Sequence, residues 1–326
     1  MRRYRKQIIL TSVTALAILI LVLLSPQIYT ITIQQEQATT TTPALSQDFP
    51  VTVDPKNKII IENELVNAYL KDNHSLLGAS IIDAGNYIWN IFRNIATTVA
   101  NAPWYQSVAN VSSRFVTITP GMRKEQIVNI FGDTLGWNNK QRKMLGSISE
   151  GSFAPGTYIV SIGTAPDSIQ TMISDRFSKD VLSHYGTSTQ DVVPLEDALT
   201  IASLIQRETI STDGMRLLSG IIWNRLFANM NLQIDSTLQY AKANNPAEES
   251  WWPKVLPKDK YLKSPYNTYT HAGLPPSPIA NPSVAAILAA LNPIKTPCLF
   301  YFNDKSGSFH CSATYAEHTK LLKEYY

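Results

Sequence analysis

The chain predicts an α+β fold, and three observations carry the prediction. Strand patterns bracket two helical patterns over residues 114–165. Helix-period runs dominate from residue 166 onward and end in a strand–turn–strand signal. Ahead of both lies an uncharged apolar run as long as a membrane span. The expected order is an N-terminal transmembrane helix, a small βααβ module and a larger mixed helical/β domain. The 326 residues are 44% apolar, enough for a core, and 16% charged, below the usual roughly 25%.

Residues 1–33 read as a basic tip and an anchor. Ile8–Leu24 carries no charge, and Ser25–Ile33 extends it. A secretory signal peptide is the rival, but its apolar region is usually about 7–15 residues and no convincing A-x-A site follows. Arg2, Arg3, Arg5 and Lys6 precede the run and should stay in the cytoplasm, so the rest faces outward. The net charge of +3 is owed to these four residues. The remainder has 24 basic against 25 acidic residues, so no basic face for nucleic acid is expected. Residues 34–49, rich in Gln, Thr and Ser, read as a flexible tether.

Residues 50–113 are the least legible. Ile81, Ile88, Phe92, Ile95 and Val99 recur at helical spacing. That amphipathic stripe fits packing against the protein or against a membrane surface, although its polar face is not Lys/Arg-rich.

In the module, strands are expected over Arg114–Thr119 and Thr157–Ser161, with helices over Arg123–Phe131 and Asn138–Leu145. Strand, helix, helix, strand in about 50 residues leaves little core, which suits binding more than chemistry. A helix follows over Asp167–Leu182. Pro194, with Glu196 and Asp197, opens another that runs to about Thr209. Thr212 or Asp213 caps the next, to about Ala228. Residues 244–281, rich in proline and aromatics, read as ordered loop. A helix over Ser283–Leu291, the hairpin Leu299–Phe302/Phe309–Ser312 and a helix over Thr314–Glu324 complete the domain. Cys298 and Cys311 flank the hairpin. A disulfide and two free thiols both fit, and no Cys or His cluster has metal-ligand spacing.

No GxSxG, HExxH, P-loop or GxGxxG is present, so chemistry falls to carboxylates. Glu208 stands out. At about 100° per residue it lies about 20° from Ile201 and about 40° from Leu204, on a broadly apolar face. Desolvation there would raise its pKa, as a general acid near neutrality requires. A solvated helix-end Glu, or one paired with Arg207 or Arg225, is the plain alternative. Asn224, Arg225, Gln233, Asp235, Thr237, Tyr240, Tyr266, Asn267, Thr268, Tyr269 and Gly273 mix neutral hydrogen-bonding groups with flat rings. Such a set suits a carbohydrate, and it equally suits loop scaffolding held by proline.

At these residues the chain resembles the MltG/YceG-like endolytic murein transglycosylases, from about Arg114 to the C-terminus. The segment Ala202 to Thr209 resembles the family's "ASIVEKET" helix. Trp223–Leu226 with Leu232–Thr237 resembles "INRL…LQTDPT", and Tyr266–Tyr269 with Gly273–Ala280 resembles "YNTY…GLPPGPIA". Leu291, Asn292, Pro293, Tyr301, Phe302, Glu317 and His318 fall at further family positions. Val116–Gly121 and Glu150–Tyr158 resemble the bounds of the family's LysM-like module. Ser236 departs from the usual Pro, and Phe309-His310-Cys311 stands where "HxF" is common, so His310 should point to the other strand face. Residues 50–110 do not match.

The resemblance implies a LysM-like module at 114–165 and a YceG-like catalytic domain at 166–326. It implies cleavage of the β-1,4 bond between N-acetylmuramic acid and N-acetylglucosamine, with Glu208 as the catalytic acid/base and no cofactor. The residues named above from Asn224 to Gly273, with Glu317 and His318, would bind glycan. Asp235 is the second catalytic candidate. Peptidoglycan strands are the implied substrate and penicillin-binding proteins the plausible partners. Two rivals remain, a hydrolase of the same bond and a non-catalytic wall-binding protein.

Overall fold

The structure, a computed structural model, describes residues 19–20, 22–31, 48–72, 84–102, 105, 113–209 and 211–326. Helices and three two-stranded antiparallel sheets build an α+β molecule around two main cores.

The smaller core belongs to the βααβ unit. Strands β3 (Ser113–Ile118) and β4 (Gly156–Ser161) pair with Phe115 opposite Ile159 and Val116 opposite Tyr158. Alternation puts Val116, Ile118, Tyr158 and Val160 on one face. There they meet Ile127 and Phe131 of one helix (Lys124–Leu135) and Leu145 of a second (Asn139–Leu145). A third helix, Pro166–Asp180, closes this core with Ile169 and Ile173. All four module elements arrive where periodicity expects them, three within one residue, while the first helix runs on to Leu135, four residues past the expected end.

The opposite face of that sheet is also covered. The helix Ala84–Asn101 lays Ala96 and Ala100 against Phe115. Its Asn101 side chain bonds both the carbonyl and the N–H of Phe115, at 3.1 and 3.2 Å. One face of this helix packs, through Phe92, Ala96 and Ala100; of the stripe expected from the sequence Val99 is buried and Ile95 is exposed, and the side chains of Ile81 and Ile88 lie outside the described residues. Residues 22–31 are helical, and Tyr29 joins the same cluster with its ring 5.4 Å from Phe115. Most of the expected anchor lies outside the described residues. Among the described residues, no helix is long and apolar enough to cross a membrane.

The larger core begins earlier than the sequence suggested. A hairpin of β1 (Val53–Asp54) and β2 (Ile59–Ile60), with the helix Glu64–Asp72, delivers Val53, Ile60 and Leu70 into it, alongside Phe49. Thr52 N–H donates to the carbonyl of Leu291 at 3.0 Å. The chain then leaves for the βααβ unit and returns. With the helices numbered in chain order from Glu64–Asp72 as α1, a short α6 (Thr187–Val192) leads into α7 (Leu195–Glu208), α8 (Thr212–Phe227) and α9 (Asp235–Ala243). After an irregular stretch come α10 (Val284–Leu291), β5 (Phe300–Asn303), β6 (Phe309–Ser312) and α11 (Tyr315–Tyr325). Helix α10 is buried from Ala285 to Leu291, and its alanines let it pack closely on α7. Helix α9 is a difference from the sequence reading, which saw polar loop. The polar residues Ser236 and Thr237 are buried there, because their hydroxyls have partners inside the protein.

Candidate active site

Glu208 is the last residue of α7. The apolar run Ala198–Ile205 seats that helix in the core, so its C-terminal end is rigid and dry on the inner side. The first turn of α9 approaches this end. Ser236 donates its hydroxyl to Glu208 Oε1 at 2.8 Å, and its backbone N–H points to the same oxygen at 3.4 Å. Strand β5 adds Tyr301, whose hydroxyl lies 3.4 Å from Oε2. Tyr269 donates to Asp235 Oδ1 at 2.6 Å, beside this cluster. No ion pair joins Glu208 to Arg207 or Arg225 among the described residues.

Burial holds the Glu208 carboxyl above its ordinary pKa; the Ser236 donors pull it back, and nearby Asp235 pushes it further up. Taken as a whole residue, Glu208 is only partly buried. Burial likewise raises Tyr301 far above the usual phenol value, with the Glu208 charge adding to it. Burial, then the bond to Asp235, raises Tyr269. Both phenols therefore stay protonated and act as donors near neutral pH.

The position of Tyr301 depends on residues in the helix before it. Arg225 donates from Nε to the carbonyl of Leu299 at 2.6 Å and from Nη1 to that of Leu232. Asn224 bonds the carbonyls of Thr296 and Cys298 at 2.7 and 3.1 Å. Cys298 and Cys311 form a disulfide with Cα atoms 5.8 Å apart, and Cys311 sits opposite Tyr301 in the β5–β6 register. His310 turns away to Asp304, 2.7 Å from its Oδ2, as the strand alternation anticipates.

The remaining sequence candidates sit behind this surface. Gln233 adopts φ +50° and bonds the Thr268 carbonyl. Thr237 and Thr268 share a 2.9 Å hydroxyl contact, and Thr268 also receives the Ile234 N–H. Asn267 is fully buried and ties Lys260, Leu262 and Tyr269 backbone groups together. Tyr240 packs 4.8 Å from Tyr266, whose hydroxyl meets Ser277. Gly273 holds φ +81°, a backbone that other residues resist. Glu317 caps α11 reciprocally with Thr314. His318 stands beside Phe300 and Phe302, its pKa lowered by burial and then by Arg225. The structure thus brings Glu208, Asp235 and Tyr269 together and gives most of the others internal partners. Ser236 and Tyr301 were missed as site residues. Ser236 was visible as a departure and Tyr301 as a shared position, but neither signal located them beside Glu208.

The βααβ unit abuts this domain. Asn281 bonds Met122, Phe153 and Glu150, and Arg207 stacks its guanidinium 3.7 Å over Trp252 while pointing at the Gly121 carbonyl. Gly151, with φ +90°, lies so close that a Cβ would meet Pro278 at 2.7 Å.

Comparison with known proteins gives the arrangement its relatives. An endolytic murein transglycosylase of Bacillus subtilis (strain 168) is 27% identical over 299 residues, covering 83% of this chain and 79% of that protein. One from Streptococcus pneumoniae serotype 2 is 29% identical over 177 residues, which is 54% of this chain and 32% of that protein. The chain thus aligns with about a third of the streptococcal relative. The crystal structure of a yceG-like protein from Listeria monocytogenes shares the fold, with a TM-score of 0.56 at 24% identity, over 71% of this chain and 80% of that one. The family model described as "YceG-like family" matches residues 23–324, and the chain belongs to that family.

Proposed function

We propose that this chain is an endolytic peptidoglycan lytic transglycosylase, a lyase that cuts glycan strands and leaves 1,6-anhydro-N-acetylmuramic acid ends. The observation that carries the reading is the Glu208 carboxyl, on a partly buried residue, raised in pKa and held by Ser236 and Tyr301. Protonated Glu208 gives its proton to the glycosidic oxygen as the bond to the anomeric carbon breaks. The anion then takes the proton of the muramyl 6-hydroxyl while that oxygen bonds the same anomeric carbon. An internal nucleophile removes the need for a second carboxylate to activate water. Asp235 is already engaged by Tyr269, which favours a positioning role for it over that of a free base.

The rest of the reading follows from the sequence. Residues 1–33 anchor the chain in the plasma (inner) membrane with the N-terminus in the cytoplasm. Residues 34–49 tether it, 114–165 form a LysM-like module that positions glycan, and 166–326 form the catalytic domain outside. Nascent strands near the membrane are the substrate, with penicillin-binding proteins as neighbours. Asp235 and Tyr269, beside Glu208, are the groups proposed to meet glycan, whereas the buried Thr237, Asn267 and Thr268 hold the loops behind them and Asn224 and Arg225 act through the hairpin they hold.

Incubating the full chain in detergent with uncrosslinked glycan, followed by mass spectrometry, tests this. Anhydro ends that disappear in Glu208→Gln support it. Reducing ends would mean hydrolysis, and binding without cleavage would leave only a wall-binding protein.

A further inference from the structure

We propose that Ser236 is a positioning residue that pins Oε1 of Glu208 and so assigns Oε2 as the oxygen that carries and delivers the catalytic proton. The proposal rests on the acid/base reading of Glu208.

The two carboxyl oxygens are not equivalent. Oε1 receives the Ser236 hydroxyl at 2.8 Å and faces the Ser236 N–H at 3.4 Å. Among the described residues, Oε2 has the Tyr301 hydroxyl as its one partner, at 3.4 Å, beyond the usual O–H···O range. An oxygen that already accepts a short hydrogen bond is the poorer proton site, so the proton resides on Oε2. Ser236 also keeps its bond when Glu208 is protonated, since the carbonyl-like Oε1 still accepts. The carboxyl therefore need not rotate between its acid and base steps.

Other charges face this group from each neighbouring element. Asp235 lies on α9 beside Ser236, Arg207 precedes Glu208 on α7, and Tyr269 and Tyr301 come from the loop and β5. Arg225 on α8 acts through the two tyrosines. Among the described residues none of these donates to Oε1, so the short bond is owed to Ser236. Burial raises the carboxyl's pKa and the Ser236 hydrogen bonds lower it, so their loss should move the titration upward. Because Ser236 sits in the first turn of α9, removing its hydroxyl leaves the helix intact.

The test compares the full-length wild type with Ser236→Ala and Ser236→Thr. The carboxyl carbon of Glu208 is titrated by NMR, identified by its absence in Glu208→Gln, and kcat/KM for anhydro-end formation is profiled against pH. In Ser236→Ala the Glu208 titration and the alkaline limb should both move up by about one unit, with activity down about tenfold. Ser236→Thr, which keeps the hydroxyl, should stay within about threefold of wild type. A Glu208 titration unchanged in Ser236→Ala overturns the role of Ser236 alone. Full activity in Glu208→Gln sinks the acid/base reading, and proton delivery with it, while the titration still decides the pinning of Oε1.

Discussion

Asn281 donates its side-chain amide to Glu150 at 2.6 Å, across the boundary between the βααβ unit and the larger domain. The same Glu150 oxygen takes the Lys124 N–H at 3.0 Å. Burial nevertheless lifts the carboxyl from an ordinary 4.5 to about 7. A carboxyl raised in the folded state binds its proton more tightly there than when unfolded. Stability therefore falls as pH rises from about 4.5 to about 7 and is flat above. Glu150→Gln can keep both bonds with its one oxygen. It should flatten that slope and gain on the order of 2–3 kcal/mol at pH 8, read from urea unfolding at a series of pH values.

Arg123 is a second tie across that boundary. It is 2% exposed, donates to the Tyr240 carbonyl and to Asn244 Oδ1 at 2.6 Å, and lies 4.1 Å over the Tyr240 ring. Arg123→Ala leaves a void and unpaired acceptors, and should cost about 2–4 kcal/mol by thermal unfolding. Arg123→Lys cannot span both acceptors and the ring, so it should recover less than half of that loss.

Glu208→Gln should lower the rate of anhydro-end formation by about 10²–10⁴-fold. Its melting temperature should not fall, because a buried carboxylate is being exchanged for a neutral amide that still accepts from Ser236. Retained glycan binding, measured by co-sedimentation with murein, separates this loss from a failure to fold.

The Cys298–Cys311 bond closes a short loop, with a sequence separation of 13. Replacing both with Ser should cost about 2–3 kcal/mol, as loop entropy returns to the unfolded chain. Activity should drop by more than the unfolded fraction explains, since β5 carries Tyr301 to Glu208. Comparing turnover with near-UV circular dichroism at a temperature where the variant is folded checks this.

Much of the fold was legible because its elements carry strong local signals. The module's two helices are set by Ile127, Phe131 and Leu145, and the Asn138 cap is visible in the residue itself. Its angle, in line with Ile201, singled out Glu208 but left a solvated or paired helix-end Glu open, and it is the burial of the carboxyl that decides between them. The hairpin of Val53 and Ile60 was not, because each strand is two residues long and its partner core lies hundreds of residues away. Helix α9 hid behind polar residues whose burial depends on Thr268 and Glu208, partners that no local window contains. Thr237 and Asn267 read as ligand groups for the same reason. A side chain's hydrogen-bonding type is written in the sequence, but the identity of its partner is not.

The larger core joins Phe49, Val53 and Ile60 to Leu291, with the Thr52 N–H bound to the Leu291 carbonyl. Among the described residues, the smaller core draws on those between Val116 and Ile173. A chain made from its N-terminus can complete the smaller unit while more than a hundred residues are still to come. The larger one has to keep its first strands unsatisfied until the helix ending at Leu291 emerges. Biogenesis thus has a built-in schedule. The surroundings of Glu208 are among the last parts to form, so a chain stalled or truncated before that helix carries the glutamate without Tyr301 and the hairpin beside it.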